Sequence, residues 1–299
     1  MINRTYTYGS NGENVKPLST HGYPTAGRRL SPAHVRTLDS ARSDNYIPLT
    51  LFILTCGYSS ARIILQLTVR DLSKAYGLFW ALRDLNLNLL GGECIALTGP
   101  NGAGKTTFLK LLGGLIYPTK GEILIDKIPL SRTSTTLRAN IGFLAPGEHL
   151  YDNLTVRENL KFFTALYGKS ESAAAIESAL DEVGLKRWSN ESLSALSSGM
   201  KCRVSIAKWQ LLEPRLLLLD EPYGVLDGGG VDILEQSLKD HCQKGGIVIL
   251  ASHHISRVLQ LCTRALILDQ GKLIFDEARQ QPWASFQRAF AEFLPHGPS

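Results

Sequence analysis

Cysteine is scarce and unpatterned in this chain. Cys56, Cys94, Cys202, Cys242 and Cys262 form no C-x-x-C pair, and their odd number argues against a disulfide framework. A reducing, cytosolic compartment is the expectation. Long apolar runs are missing too. The best of them, residues 46–58, falls short of the roughly 20 residues that a bilayer-spanning helix needs and runs into Ser59, Ser60 and Arg62. An excess of charge of either sign is nearly absent beyond residue 66. Before it, Arg4, Lys16, Arg28, Arg29, Arg36, Arg42 and Arg62 face only Glu13, Asp39 and Asp44, which leaves little of the net +5 for the rest. The basic balance therefore gives no ground for a nucleic-acid partner. Internal repeats are also lacking, so each motif below occurs once.

What is present is ordinary globular material, 44% hydrophobic and 20% charged, enough for a sizeable core. Residues 1–45 are rich in Ser, Thr, Gly, Pro and Asn and show no period. Pro17, Pro24 and Pro32, with no amphipathic pattern around them, weigh against a transit peptide, so residues 1–64 read as a disordered extension. Order is expected over 65–280, followed by a tail at 281–299 in which residues 283–293 have the pattern of a short amphipathic helix.

Leu65, Leu67 and Val69 alternate with polar neighbours, as in a half-buried strand. Short apolar runs then recur at Cys94–Thr98, Ile141–Leu144, 216–219, Ile247–Ala251 and 265–268, separated by helical patterns. Continuous runs of that length are parallel strands buried on both faces, and the fold class is α/β. Between the second and third runs lies a helix-rich insert, residues 155–212, within a helical subdomain placed at about 152–212. In Thr155-Val156-Arg157-Glu158 the first and last residues satisfy each other's free backbone donors as a capping box. A second helix is expected from about Ser170 to a left-handed stop at Gly184.

Gly99-Pro100-Asn101-Gly102-Ala103-Gly104-Lys105-Thr106 follows the strand at Cys94–Thr98 and precedes a helical run at 107–112 that opens with Thr107. That is the context a phosphate loop requires: glycines turn backbone N–H groups toward one point, where the helix N-terminus adds positive potential. Lys105 would neutralise the β- and γ-phosphates, and the Thr106 hydroxyl would bind Mg²⁺. The apolar run at 216–219 delivers Asp220 and Glu221 to the carboxyl edge of a parallel sheet. Asp220 can hold the Mg²⁺ shell, and Glu221 can orient and deprotonate an attacking water.

Leu196-Ser197-Ser198-Gly199-Met200-Lys201, placed between those motifs, resembles the signature of the ABC ATPases. The resemblance spans residues 65 to about 277. It implies a P-loop NTPase fold with a mostly parallel core sheet, an antiparallel β subdomain and a helical signature subdomain. It implies ATP and Mg²⁺ as ligands, and contact of Ser197, Ser198, Gly199 and Met200 with the ATP of a second subunit. Ser198 and Met200 depart from the usual glycine and glutamine. Tyr76 matches the aromatic that stacks on adenine, Asp227 the loop that communicates across the dimer, and His253, rather than His254, the histidine that senses the γ-phosphate. Pro146 stands where the family has a glutamine that ligates Mg²⁺ and couples to the membrane, with Glu148 and His149 as possible substitutes.

By the same resemblance the partners are a second copy or paired ATPase subunit and integral membrane transporter subunits, with no nucleic acid. The place is the cytoplasmic face of the membrane, peripherally. Residues 220–231 and 244–254 look like the ATPase of the haem exporter of cytochrome c maturation, whereas 197–201 look equally like drug or polysaccharide exporters. Two other readings stay open. One is an ABC ATPase acting on nucleic acid or ribosomes, against which stand the single unit and the short insert without heptads. The other is a pseudo-enzyme, suggested by Pro146.

Overall fold

The computed structural model describes residues 65–130, 135–145, 150–169 and 171–279, with Trp283, Phe286 and Arg288. The expected extension at 1–64, Pro146, Glu148, His149, the helix start at Ser170 and most of the 281–299 tail lie outside the described residues.

The alternation that begins at Leu65 grows into β1 (Gln66–Tyr76), which turns back at Gly77 into β2 (Phe79–Leu90). β4 (Lys120–Ile125) and β5 (Ile128–Pro129) complete a four-stranded antiparallel sheet in the order β2-β1-β4-β5. The five apolar runs form the second sheet: β3 (Cys94–Thr98), β6 (Ile141–Leu144), β7 (Leu216–Asp220), β8 (Ile247–Ala251) and β9 (Arg264–Asp269). All five are mutually parallel, and β10 (Lys272–Ala278) adds an antiparallel edge, giving the order β10-β9-β3-β8-β7-β6.

Every residue of β3, β7 and β8 is buried, because both faces are covered. The pleat then sorts side chains by parity. Ile95, Leu97, Leu216 and Leu218 enter one core with the antiparallel sheet and α1 (Lys105–Leu112). Ala96, Leu217, Leu219 and Leu250 enter the other with the helices of the opposite face. Each such fully buried aliphatic side chain contributes roughly 1.5–3 kcal/mol.

That opposite face carries the insert, α3 (Val156–Leu166), α4 (Ala173–Glu182) and α5 (Ser198–Leu212), followed by α6 (Gly228–Gln243) and α7 (Ile255–Leu261). A short α2 (Thr135–Ala139) precedes β6. The capping box forms: Glu158 N donates to Thr155 Oγ1 at 3.2 Å, and Thr155 N to Glu158 Oε2 at 2.9 Å. The Thr155 backbone N–H and the Thr155 hydroxyl, both donating to Oε2, hold the Glu158 carboxyl below its usual range. α4 starts at the Ser172 cap, two residues past the expected Ser170. It ends in a Schellman motif, with Gly184 at φ 69, Gly184 N donating to Asp181 O and Leu185 N to Leu180 O.

The core does not stop at residue 280. Phe286 is fully buried, and Trp283 donates its indole N–H to Leu259 O at 3.0 Å. Phe286 packs edge-on against Phe275 at 5.7 Å. Two residues of the expected tail thus belong to the domain, since an indole that finds a carbonyl can be buried without penalty. The four cysteines among the described residues are free thiols.

Candidate active site

Two of the loop glycines are required by close approach. A Cβ on Gly99, which sits at φ 139, would stand 2.0 Å from Leu268 O, and one on Gly104, at φ 106, would stand 2.7 Å from Ala81 O. The loop is therefore pressed against β9 and β2 and can fold only with bare Cα atoms there. Lys105 opens α1 and donates to Gly99 O at 2.7 Å and Pro100 O at 3.0 Å. Burial lowers its pKa, opposed by the negative charges of Glu221 and Asp220. An ammonium so placed is a poorly solvated cation that gains from an incoming phosphate.

β7 ends by handing over two acids in different states. Asp220 is buried and accepts the Thr106 hydroxyl at Oδ2, 2.7 Å away. Glu221 takes a left-handed backbone, φ 51, of a kind that costs about 1–3 kcal/mol for a non-glycine residue and collects at functional sites. Its backbone N bonds to Ala251 O at 2.9 Å, and its Oε2 accepts the His253 backbone N–H at 3.1 Å. The other oxygen, Oε1, lies 3.3 Å from His253 Nε2 yet accepts no hydrogen bond, although it is buried. A buried carboxylate oxygen left without a donor suits a water that must lose a proton.

These groups meet in one cavity of about 520 Å³. Asn101, Gly102, Gly104, Thr106 and Thr107 line it together with Lys105, Asp220, Glu221 and His253, and Tyr76, half exposed, stands at its mouth. Pro100 lends its carbonyl to Lys105 from outside the lining, as Gly99 does, and Ala103 is buried behind the loop. His253 lines the cavity, whereas His254 meets the Tyr223 ring edge-on at 5.9 Å. Two lining residues, Phe79 and Ala81, escaped the sequence reading. Phe79, 65% exposed, is the cross-strand partner of Tyr76 in the β1–β2 hairpin, and only that register could have revealed it.

The signature residues do not line this cavity. Ser197 caps α5, its Oγ accepting Met200 N at 3.2 Å, and Met200 packs against the helical core. Gly199 abuts Val225 O, and Ser198 faces a cleft of about 310 Å³ that Asp220 and Glu221 also line. Asp227 caps α6 through Gly230 N at 2.7 Å.

The donors fit Mg²⁺. Thr106 Oγ1 and Asp220 Oδ2 are hard oxygens. Among the described residues no group of three His, Cys, Asp or Glu could hold a metal.

A Gly-rich strand-to-helix turn, a buried lysine and an acidic strand end opposite a histidine define a phosphate-loop ATPase. Comparison places it more closely. A family model described as ABC transporter matches residues 82–224. The cytochrome c biogenesis ATP-binding export protein CcmA of Pseudomonas fluorescens (strain Pf0-1) is 40% identical over 171 residues, covering 57% of this chain and 81% of that one. The lantibiotic transport ATP-binding protein SrtF of Streptococcus pyogenes is 36% identical over 212 residues, covering 71% and 90%. A solved dimer of an ATP-binding cassette in a post-hydrolysis state, bound to ADP and Pi, matches with TM-score 0.65 and 28% identity, covering 72% and 99%. The chain belongs to the ATP-binding subunits of the ABC transporter family and is an ATP-binding ATPase.

Proposed function

We propose that the chain works as one of a pair of motor subunits, each completing the other's ATP site, bound peripherally to separate membrane subunits of an exporter. The observation that carries this is the split site: the cavity gathers Lys105, Thr106, Asp220, Glu221 and His253 but leaves Ser197 and Gly199 on α5 outside it. A second copy facing the first would bring that helix start, with its free N–H groups, to the γ-phosphate. The solved ADP- and Pi-bound cassette of similar fold is itself dimeric.

Within the site, backbone N–H groups and Lys105 draw charge from the phosphates. Glu221 Oε1 takes the proton of water as its oxygen bonds to the γ-phosphorus and the bond to ADP breaks. Mg²⁺, held by Thr106 and Asp220, would neutralise charge on the β- and γ-phosphates. Tyr76 and Phe79 offer the base two rings at the mouth.

The membrane subunit fits a cleft of about 760 Å³ between α1 and α2 on one side and α3 and α5 on the other, where Lys110, Arg138, Phe163, Tyr167 and Lys208 meet. No helix among the described residues is long and apolar enough to cross a membrane. The cargo reading is haem for cytochrome c maturation, by the CcmA relatives. The SrtF match, over more of this chain, keeps an exporter of another cargo, of the drug or polysaccharide type, as the second reading. Sedimentation of the full chain with Mg²⁺ and a non-hydrolysable ATP analogue tests the pairing: dimers are expected, and a strict monomer overturns it. Co-purification of the membrane partner, followed by the absorption spectrum of what that partner carries, decides the cargo.

A further inference from the structure

α5 and the loop that caps α6 meet along a seam where two glycines give up their Cβ atoms. A Cβ on Gly199 would stand 2.7 Å from Val225 O. One on Gly230 would stand 2.9 Å from Asp227 Oδ1 and 3.1 Å from Arg203 Nε. Into the room so left, Arg203 of α5 sends its guanidinium, and Nη2 donates to Asp227 Oδ1. The same oxygen accepts Gly230 N and so caps α6. The two partners differ in burial: the Arg203 side chain is 18% exposed, that of Asp227 71%. Arg203 Nε is buried with no hydrogen-bond partner, so the guanidinium is held by this one ion pair and by packing.

Nothing in the ATP cavity uses Arg203, which lies outside its lining. Its place is nonetheless specific. It stands less than two turns after the Ser197 cap on the signature helix, and it grips the residue whose exposed carboxylate faces outward from the loop. An ornamental surface pair would need neither the missing Cβ of Gly230 nor a largely buried arginine, and the bare Cα of Gly199 brings the same helix against Val225 O.

We infer that Arg203 is a positioning residue that locks the signature end of α5 to the Asp227 loop, so that both reach the partner's nucleotide as one rigid piece. The inference rests on the paired-subunit reading above. Without the clamp, Ser197 could approach the partner's γ-phosphate while the loop lagged behind, and the two sites would lose their coupling.

The test uses the full chain with Arg203→Ala, Arg203→Lys, Asp227→Asn and the Arg203→Ala/Asp227→Asn double variant. Three quantities are read: MgATP binding to the single subunit by a fluorescent nucleotide, analogue-driven dimerisation by sedimentation, and hydrolysis rate against ATP concentration. Binding should change by less than about twofold, while the dimerisation midpoint shifts about tenfold to higher nucleotide. The Hill coefficient should fall from about two toward one. Lysine should restore most of the coupling, and the double variant should be no worse than Arg203→Ala alone. A lowered melting temperature with unchanged dimerisation and cooperativity would mean that the pair is only structural and would overturn the inference, as would additive effects in the double variant. If Arg203→Ala does not fold, Asp227→Asn, which keeps an acceptor for the cap, carries the same readouts. Wild-type protein that never dimerises sinks the paired-subunit reading itself. A dimerising wild type with indifferent Arg203 variants sinks this inference alone.

Discussion

Replacing Glu221 by glutamine inverts one hydrogen-bonding position while leaving the shape intact. The His253 backbone N–H needs an acceptor where Oε2 now stands, so the amide oxygen is pinned there. The NH₂ group must then occupy the buried position of Oε1, beside His253 Nε2 at 3.3 Å. A water that met an undonated carboxylate oxygen meets an N–H donor instead and has nowhere to send its proton. A positioned general base supplies about 10²–10⁴-fold, or roughly 3–5.5 kcal/mol of barrier at about 1.4 kcal/mol per tenfold. Removing one negative charge from a site that binds polyanionic ATP works in the opposite direction on affinity. Phosphate release at saturating MgATP should therefore fall by two orders of magnitude or more while nucleotide affinity is kept or tightened. Turnover within about threefold of wild type, with binding intact, would remove Glu221 from the chemistry, since a base cannot contribute so little.

Other perturbations test the parts that place this residue. Gly99→Ala forces a Cβ to within 2.0 Å of Leu268 O at φ 139; nucleotide binding should be lost and the melting temperature lowered, the backbone strain alone costing about 1–3 kcal/mol. Phe286→Ala empties a fully buried site and should cost about 3–5 kcal/mol in chemical denaturation, against less than about 0.5 kcal/mol if the residue belonged to a loose tail. Burial takes the His241 imidazole down to about 4 from 6.5. Its contribution is thus intact above pH 6.5 and lost as pH falls toward 4, by at most about 3 kcal/mol, because the unfolded chain binds the proton first. A His241→Leu variant should flatten the stability profile across that window, and an unchanged slope would contradict the assignment.

Much of this arrangement was legible in the residues, and the parts that were not have physical reasons. Fully buried parallel strands such as β3 and β8 advertise themselves as unbroken apolar runs bounded by turn residues. β1 and β2 do not. Their register shifts between Val69 and Leu72 and again near Lys74, where Asp71 and Asp84 take left-handed backbone, and each irregularity resets the two-residue alternation that marks a strand. Phe79 was hidden for the same reason, since its importance lies in pairing with Tyr76 across the hairpin and in no pattern along the chain. Residues 283–293 carry the pattern of an amphipathic helix, but nothing along the chain says that Trp283 and Phe286 close onto the domain. The signature residues were found through family resemblance alone; read as residues, Ser197 is a helix cap, and the structure shows it acting as one.

The sheet order explains why distant motifs meet and why one stays apart. β3, β8 and β7 are consecutive neighbours, and the phosphate loop, His253 and the Asp220–Glu221 pair leave from their respective carboxyl ends. Parallel strands point those ends the same way, so residues more than a hundred positions apart fall into one cavity as a direct consequence of topology. α5 begins within the insert between β6 and β7, and although Ser198 shares a cleft with Asp220 and Glu221, Ser197 and Gly199 stay outside the cavity that holds Lys105. On the paired-subunit proposal, that helix start reaches a γ-phosphate across the interface between copies. A chain in which the insert alone was tilted should then lose turnover while each subunit still bound its nucleotide.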